Sequence, residues 1–252
     1  MSGPDQRPAP ARLSGRLYGV GVGPGDPELI TLKAVRILRS APVVAHFAKR
    51  GSAGNASATA SPYLAPEQTV LRLEYPITTE APPAGVSYAE VLHGFYDRAA
   101  RLLAGHLDAG RDVAVLCEGD PLFFGSFMYL HDRLAACYPT EVVAGVTAVG
   151  AASAVVGKPL TRRDDEFRVL VGISDEDSLV EGLTGADAVV VMKLGRNLDK
   201  VRRAVERAGL LDHAWYVERA TMAGERALPL ANVESGSAPY FSLVMIPSRL
   251  TR

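Results

Sequence analysis

Short β-branched runs alternate with stretches of helical period along most of the chain. "LYGVGV" (17–22) predicts a first strand, followed by a helix from about Pro27 to Arg39 and a second strand at "PVVAHF" (42–47). "TVLRLEYP" (69–76) predicts a third strand. "SYAEVLHGFYDRAARLLAGHLDAG" (87–110) carries apolar residues at helical spacing and closes on Gly110, a favourable stop. "DVAVLCEGDP" (112–121) is a buried strand breaking into a turn, with a helix expected over "LFFGSFMYLHDRLAACY" (122–138). "TEVVAG" and "GVTAVGAASAVVG" supply one more strand and helix. Such alternation predicts an α/β fold with a mostly parallel sheet covered on both faces.

The texture turns polar at "GKPLTRRDDE" (157–166), where the boundary between two domains is placed. The expected organisation is a disordered leader over 1–15, an N-terminal α/β domain over 16–156 and a C-terminal α/β domain over 157–252. Beyond the boundary come strands at "FRVLVGI", "DAVVVMKL", "HAWYVERAT" and "YFSLVMIP", and a helix at "NLDKVRRAVERAG". Their shorter length and hairpin-like end predict a mixed sheet. Two stretches, 48–61 and 77–87, stand outside the alternation, and long loops of this kind are usually functional.

The glycines at 19, 21, 23 and 25 suggest a phosphate loop, but the spacing fails. A dinucleotide fingerprint starting at Gly19 has Pro24 in its sixth position, and one starting at Gly21 has Asp26. No Gly-Lys-Ser/Thr follows. Asp26 before Pro27 reads as an N-cap, which puts a carboxylate where a phosphate would sit, and Glu28 adds a second. A nucleotide-dependent dehydrogenase is thereby excluded. A second Gly-Asp-Pro turn, at Gly119–Pro121, closes another strand. Ligands of open parallel sheets bind beyond the carboxyl ends of the strands, so the two turns and "AGVTA" (144–148) indicate one ligand site.

Composition adds little to this picture. The 252 residues are 48% hydrophobic and 22% charged, with a net charge of −1, so no global field draws the chain to nucleic acid or an anionic membrane. No apolar run approaches a membrane span, and the first fourteen residues have no signal-peptide core. Cytoplasmic location is expected. Cys117 and Cys137, the two cysteines, read as buried free thiols, with no metal site.

In order and spacing, "VGVGPGDPELITLKA", "EGDPLFFGS", "GVTAVGAASA", "VVVMKLGRN" and "YVERATMAGE" resemble the tetrapyrrole (corrin and porphyrin) methyltransferases, from about Leu17 to Ile246. "VVAHFAKRGSAGNA", "EYPITTE", "KLGRNLDKVRRA" and "APYFSLV" resemble the members that methylate precorrin-2 at C20 on the route to cobalamin. The resemblance implies two α/β domains with a cofactor cleft between them, S-adenosylmethionine as methyl donor, and a homodimer to which 122–138 contributes. It implies cofactor contacts from Pro24, Gly119, Asp120, Phe123, Thr147, Ala148, Met192 and Ala220. Thr147 and Met192 also read simply as a helix cap and a core residue.

A polycarboxylate tetrapyrrole bound by a chain of net charge −1 needs a local basic rim. Lys49, Arg50, Arg162 and Arg163 are the residues expected to supply it, each also readable as a solvated charge. Arg202, Arg203 and Arg207 read as a solvated helix face. Two departures from the family stand out. Ala144 replaces the proline usual before "GVTA", and Phe47 stands where related uroporphyrinogen methyltransferases have a proton-accepting Asp. No catalytic residue is assigned; Glu118 is a speculative base only, and His46 reads as structural. The alternatives are the same methylation on a cobalt-containing substrate, or a non-catalytic tetrapyrrole carrier.

Overall fold

The structure is a computed structural model that describes residues 14–78, 80 and 82–249. Residues 1–13, most of the expected leader, lie outside it. Gly15 is already part of the fold, because its N–H donates to the Leu107 carbonyl and a Cβ there would meet the Arg111 carbonyl oxygen at 2.1 Å.

The chain divides into two units. The first holds the residues up to Val22 together with Ile30–Gly145, and the second holds Gly23–Leu29 and Val146–Arg252. The division after Gly145 falls upstream of the polar stretch at 157, because the helix over Ala148–Val156 packs against strands of the second unit.

The first unit is built on strands β1 (Leu17–Gly21), β2 (Val43–Lys49), β3 (Thr69–Tyr75), β4 (Val113–Cys117) and β5 (Thr140–Val143). All pairs are parallel, in the order β3-β2-β4-β1-β5. Its helices are α1 (Leu32–Ser40), α2 (Asn55–Ala60), α3 (Tyr88–Asp108) and α4 (Phe127–Leu134). Side chains alternate between faces along each strand. Val113, Val115 and Cys117 join α3 and α4 in one core, while Ala114 and Leu116 join α1 and α2 in the other. Burial on both faces explains why β4 reads as an uninterrupted apolar run.

Local chemistry sets the helix ends. Ser87 caps α3 with a full capping box, its hydroxyl accepting from the Glu90 N–H while the Glu90 carboxylate takes the Ser87 N–H. The helix expected from Pro27 begins later. Pro27–Leu29 forms a single 3₁₀ turn, and Thr31, extended at φ −67° and ψ 148°, then caps α1. This break lets Ile30 enter the core. Asp26 therefore caps the 3₁₀ turn, accepting the Glu28 N–H at 2.8 Å. The loop expected over 48–61 contains α2, and α4 starts five residues later than expected because Leu122–Gly125 is a turn.

The second unit holds α5 (Ala148–Val156), β6 (Phe167–Val171), α6 (Glu176–Thr184), β7 (Ala188–Met192), α7 (Leu198–Arg207), β8 (Trp215–Glu218), β9 (Arg226–Pro229) and β10 (Ser242–Ile246). The sheet is mixed, as expected, in the order β6-β7-β10-β8-β9. β6 and β7 are parallel, and β10 runs antiparallel to both β7 and β8. Hence β6, β7 and β8 point the same way. Leu179, Leu183, Val201 and Val205 of α6 and α7 pack on Val189, Val191, Tyr216 and Val244. α6 and β9 were not expected from the sequence.

Two surface expectations need correcting. Cys117 is buried but Cys137, in the turn after α4, is exposed. Arg203 and Arg207 do lie on an exposed face, paired with Glu176 and Asp177. Arg202 instead turns inward, its guanidinium donating to the Leu230 and Val233 carbonyls.

Candidate active site

In the first unit, the carboxyl ends of β1, β4 and β5 meet at glycines. A Cβ on Gly21 would lie 2.6 Å from the Gly145 nitrogen and 2.7 Å from the Gly119 carbonyl oxygen. One on Gly145 would lie 2.0 Å from that same oxygen. These glycines let three strand-end backbones pack together. Gly119 turns there with φ +64°.

Asp120 ties the assembly. One carboxylate oxygen accepts the Leu122 N–H at 2.9 Å and the other the Gly145 N–H at 3.0 Å. The Asp120 carboxylate is thus bound by its own fold, which leaves backbone as what this turn offers a ligand. Phe123 follows, its N–H bonded to the Asp120 carbonyl, and Phe124 beside it has φ +57°.

The other carboxyl ends carry the basic residues. Lys49 closes β2, and Lys49 and Arg50 line a cleft of about 160 Å³ with Tyr75, Pro76, Ile77, Thr78 and Glu80. Both cations are exposed. The Glu80 carboxylate accepts the N–H and hydroxyl of Thr78. Because every strand of this sheet is parallel, Lys49, Arg50, Glu118 and the Gly119–Asp120 turn share one sheet edge.

His46 does not reach this edge. It is 3% exposed, its Nδ1 lies 3.4 Å from the Phe47 carbonyl oxygen, and Gly54 sits against the ring. Burial lowers its pKa, with the Phe47 contact opposing and the Arg72 charge adding to the shift. Phe47 is buried among Tyr75, Phe95 and Tyr96.

In the second unit, the glycine loop meets the turn after β8. The Asp26 N–H donates to Thr221 Oγ1 at 3.3 Å, and a Cβ on Gly25 would strike the Met222 side chain at 2.2 Å. Pro24 and Ala220 therefore belong to loops that are packed together. Met192 ends β7 at the same sheet edge. Thr147 caps α5, its hydroxyl accepting the Gly150 N–H at 3.3 Å, and Ala148 opens that helix.

Arg162 and Arg163 sit elsewhere in this unit. The Arg162 backbone N–H donates to Asp165, while Arg162 Nε is buried without a hydrogen-bond partner among the described residues. Arg163 is exposed, with φ +42°.

Strain supplies a signal that the sequence did not carry. Among the described residues, five that are not glycine have positive φ: Phe124, Arg163, Lys193, Arg219 and Thr221. Phe124 follows Phe123, Lys193 follows Met192, and Arg219 and Thr221 flank Ala220. Such conformations cost about 1–3 kcal/mol each and collect at functional sites. The buried Glu218 carboxylate anchors the last pair, accepting from the Tyr216 hydroxyl at 2.6 Å and pairing with Arg219 at 3.3 Å.

The stretches 22–29, 117–126 and 144–148 hold Asp26, Glu28, Glu118 and Asp120 and no lysine or arginine. None of the three stretches offers a phosphate a cationic side chain, whereas S-adenosylmethionine carries no phosphate and suits the backbone that the Gly119–Asp120 turn presents. Among the described residues no group of three or more His, Cys, Asp or Glu is placed to hold a metal. No described helix is long and apolar enough to cross a membrane.

Comparison with known proteins agrees with this chemistry. A family model described as tetrapyrrole (corrin/porphyrin) methylases matches residues 16–234. The chain is 49% identical over 233 residues to a precorrin-2 C(20)-methyltransferase of Sinorhizobium sp., covering 92% of this chain and 95% of that protein. It is 28% identical to a cobalt-precorrin-2 C(20)-methyltransferase of Salmonella typhimurium, covering 93% and 97%. Among solved structures, uroporphyrin-III C-methyltransferase from Thermus thermophilus complexed with S-adenosylhomocysteine matches with a TM-score of 0.62 and 28% identity, covering 92% of each chain.

Proposed function

The chain belongs to the tetrapyrrole (corrin/porphyrin) methylase family, S-adenosylmethionine-dependent methyltransferases, and from that premise we propose that it methylates precorrin-2 at C20 to give precorrin-3A in cobalamin biosynthesis. The observation that carries the substrate assignment is the 49% identity with the precorrin-2 C(20)-methyltransferase over 92% of this chain and 95% of that protein. The lower identity to the cobalt-precorrin-2 C(20)-methyltransferase favours the metal-free substrate. A non-catalytic carrier has no use for the full set of cofactor-type turns.

Bound S-adenosylmethionine supplies a methyl group on a positively charged sulfur, a good leaving group. In this reading Gly119, Asp120 and Phe123 contribute the strand-end turn of the first unit to the cofactor site. Pro24, Thr147, Ala148, Met192 and Ala220 contribute from the second. Asp120 acts through the backbone that it fixes, since both its oxygens are already engaged. Lys49 and Arg50 take substrate carboxylates in their cleft, with Arg162 and Arg163 as further basic contacts. The meso carbon C20 is enamine-like and needs orientation more than activation. Fixing it in line with the S–CH₃ bond is a kind of effect worth about 7–11 kcal/mol in favourable cases. The active species is a homodimer, as the family resemblance implies, and its location is the cytoplasm expected from the sequence.

The test is a single-turnover incubation of anaerobic precorrin-2 with methyl-labelled S-adenosylmethionine, read by carbon NMR. Label on C20 is the expected result. Transfer only to the cobalt-loaded substrate moves the assignment to that substrate. Binding of both ligands without transfer to either substrate supports the carrier.

A further inference from the structure

Methylation at C20 leaves a proton that must depart from the same carbon, and the family resemblance assigns no group in this chain to take it. Resting on the C20 reading, we propose that Glu118 accepts this proton. The residue extends from the end of β4 immediately before the Gly119–Asp120 turn, on the sheet edge that carries Lys49 and Arg50. Its side chain is exposed, and one carboxylate oxygen accepts the Ala56 N–H at the start of α2 at 3.4 Å. The carboxylate is therefore held in place and still open to a substrate.

Among the described residues, the other candidate proton acceptors near this edge are engaged elsewhere. Both oxygens of Asp120 take backbone N–H groups. Glu80 is engaged by Thr78, and Glu74 pairs with Arg72 at 2.8 Å. His46 is enclosed by Gly54 and the Phe47 carbonyl. The Tyr75 hydroxyl is bonded to Ser126. Phe47, buried among Tyr75, Phe95 and Tyr96, has no basic atom to offer.

Surrounding protein raises the Glu118 pKa, opposed by its own and the Ala56 N–H groups. The direction of this shift makes the carboxylate a better base near neutrality. The step balances without a further reactant. The C20–CH₃ bond forms with a ring electron pair as the S–CH₃ bond breaks toward sulfur, leaving the ring cationic. The C20–H bond then breaks, its pair restores the neutral ring, and the proton passes to the Glu118 carboxylate and on to water.

The test uses precorrin-2 tritiated at C20 and compares tritium release into water with formation of S-adenosylhomocysteine, in wild type and Glu118→Gln. Calorimetric binding of S-adenosylhomocysteine and the melting temperature are measured alongside. In wild type the two rates coincide. In the variant, tritium release is expected to lag methyl transfer by about 10²-fold, with cofactor binding and melting unchanged. Three outcomes overturn the role: rates that stay equal to each other and to wild type, rates that fall together, or loss of cofactor binding or folding. A wild-type protein that places no methyl on C20 removes both the role and the C20 reading, whereas the other failures leave that reading intact.

Discussion

Asp120 shows how one side chain fixes a strand-end turn. Its two oxygens close the Leu122 and Gly145 N–H groups, so Asp120→Ala leaves two backbone donors without their acceptors. The expected cost is about 1–3 kcal/mol, read by urea unfolding, with a parallel loss of S-adenosylhomocysteine affinity by calorimetry. Gly145→Ala is harsher, since its Cβ would sit 2.0 Å from a backbone carbonyl that cannot swing away. A loss of about 3 kcal/mol or more is expected from the same measurement. The cysteines separate cleanly. Burial pushes the Cys117 thiol well above its ordinary pKa, with the Glu118 and Asp120 charges adding to the effect, while Cys137 is exposed. One of the two thiols in native protein, Cys137, is expected to react with a thiol reagent at neutral pH, and two after unfolding. The sequence context of Cys137 is apolar, and its exposure follows from its place in a turn that the local residues do not reveal.

Among the elements, α5 has the most to say about function, because its N-cap is also a residue proposed to contact the cofactor. Thr147→Ser keeps the hydroxyl that accepts from Gly150, and Thr147→Ala removes it. The alanine variant is expected to lose about 1 kcal/mol of stability and the serine variant far less, by thermal melting. If Thr147 serves only as a cap, S-adenosylhomocysteine affinity stays constant in both. The loss of affinity in the alanine variant alone assigns the hydroxyl a second task. Strand identity was legible wherever both faces are buried, as in β4 and β7, since an apolar run of four or five residues bounded by turns has few other readings. α2 was missed because "NASATA" has small side chains and no apolar period. α6 was missed because its acidic first turn, Glu176 and Asp177, looks like a loop until Asp175 is seen capping it.

For the protein as a whole, charge distribution matters more than charge. A net −1 chain draws a polycarboxylate substrate only through local cations, and the cleft at the ends of β2 and β3 gathers Lys49 and Arg50. Replacing both with alanine is expected to raise KM for precorrin-2 about tenfold or more with little change in kcat, and to flatten the salt dependence of kcat/KM. Steady-state kinetics across ionic strength checks this. What the chain order alone fixed is the fold class, the exclusion of a phosphate loop and the family. These rest on periodicity, spacing and residue chemistry, which are local properties. Which strand ends meet at the Gly119–Asp120 turn, which carboxylate is spent on backbone and which stays open, and where the backbone is strained were decided by tertiary structure. Asp120 and Glu118 are two positions apart and equally acidic in sequence. Only the packing of β5 beside β1, which brings the Gly145 N–H to Asp120, gives one carboxylate to the fold and leaves the other for chemistry.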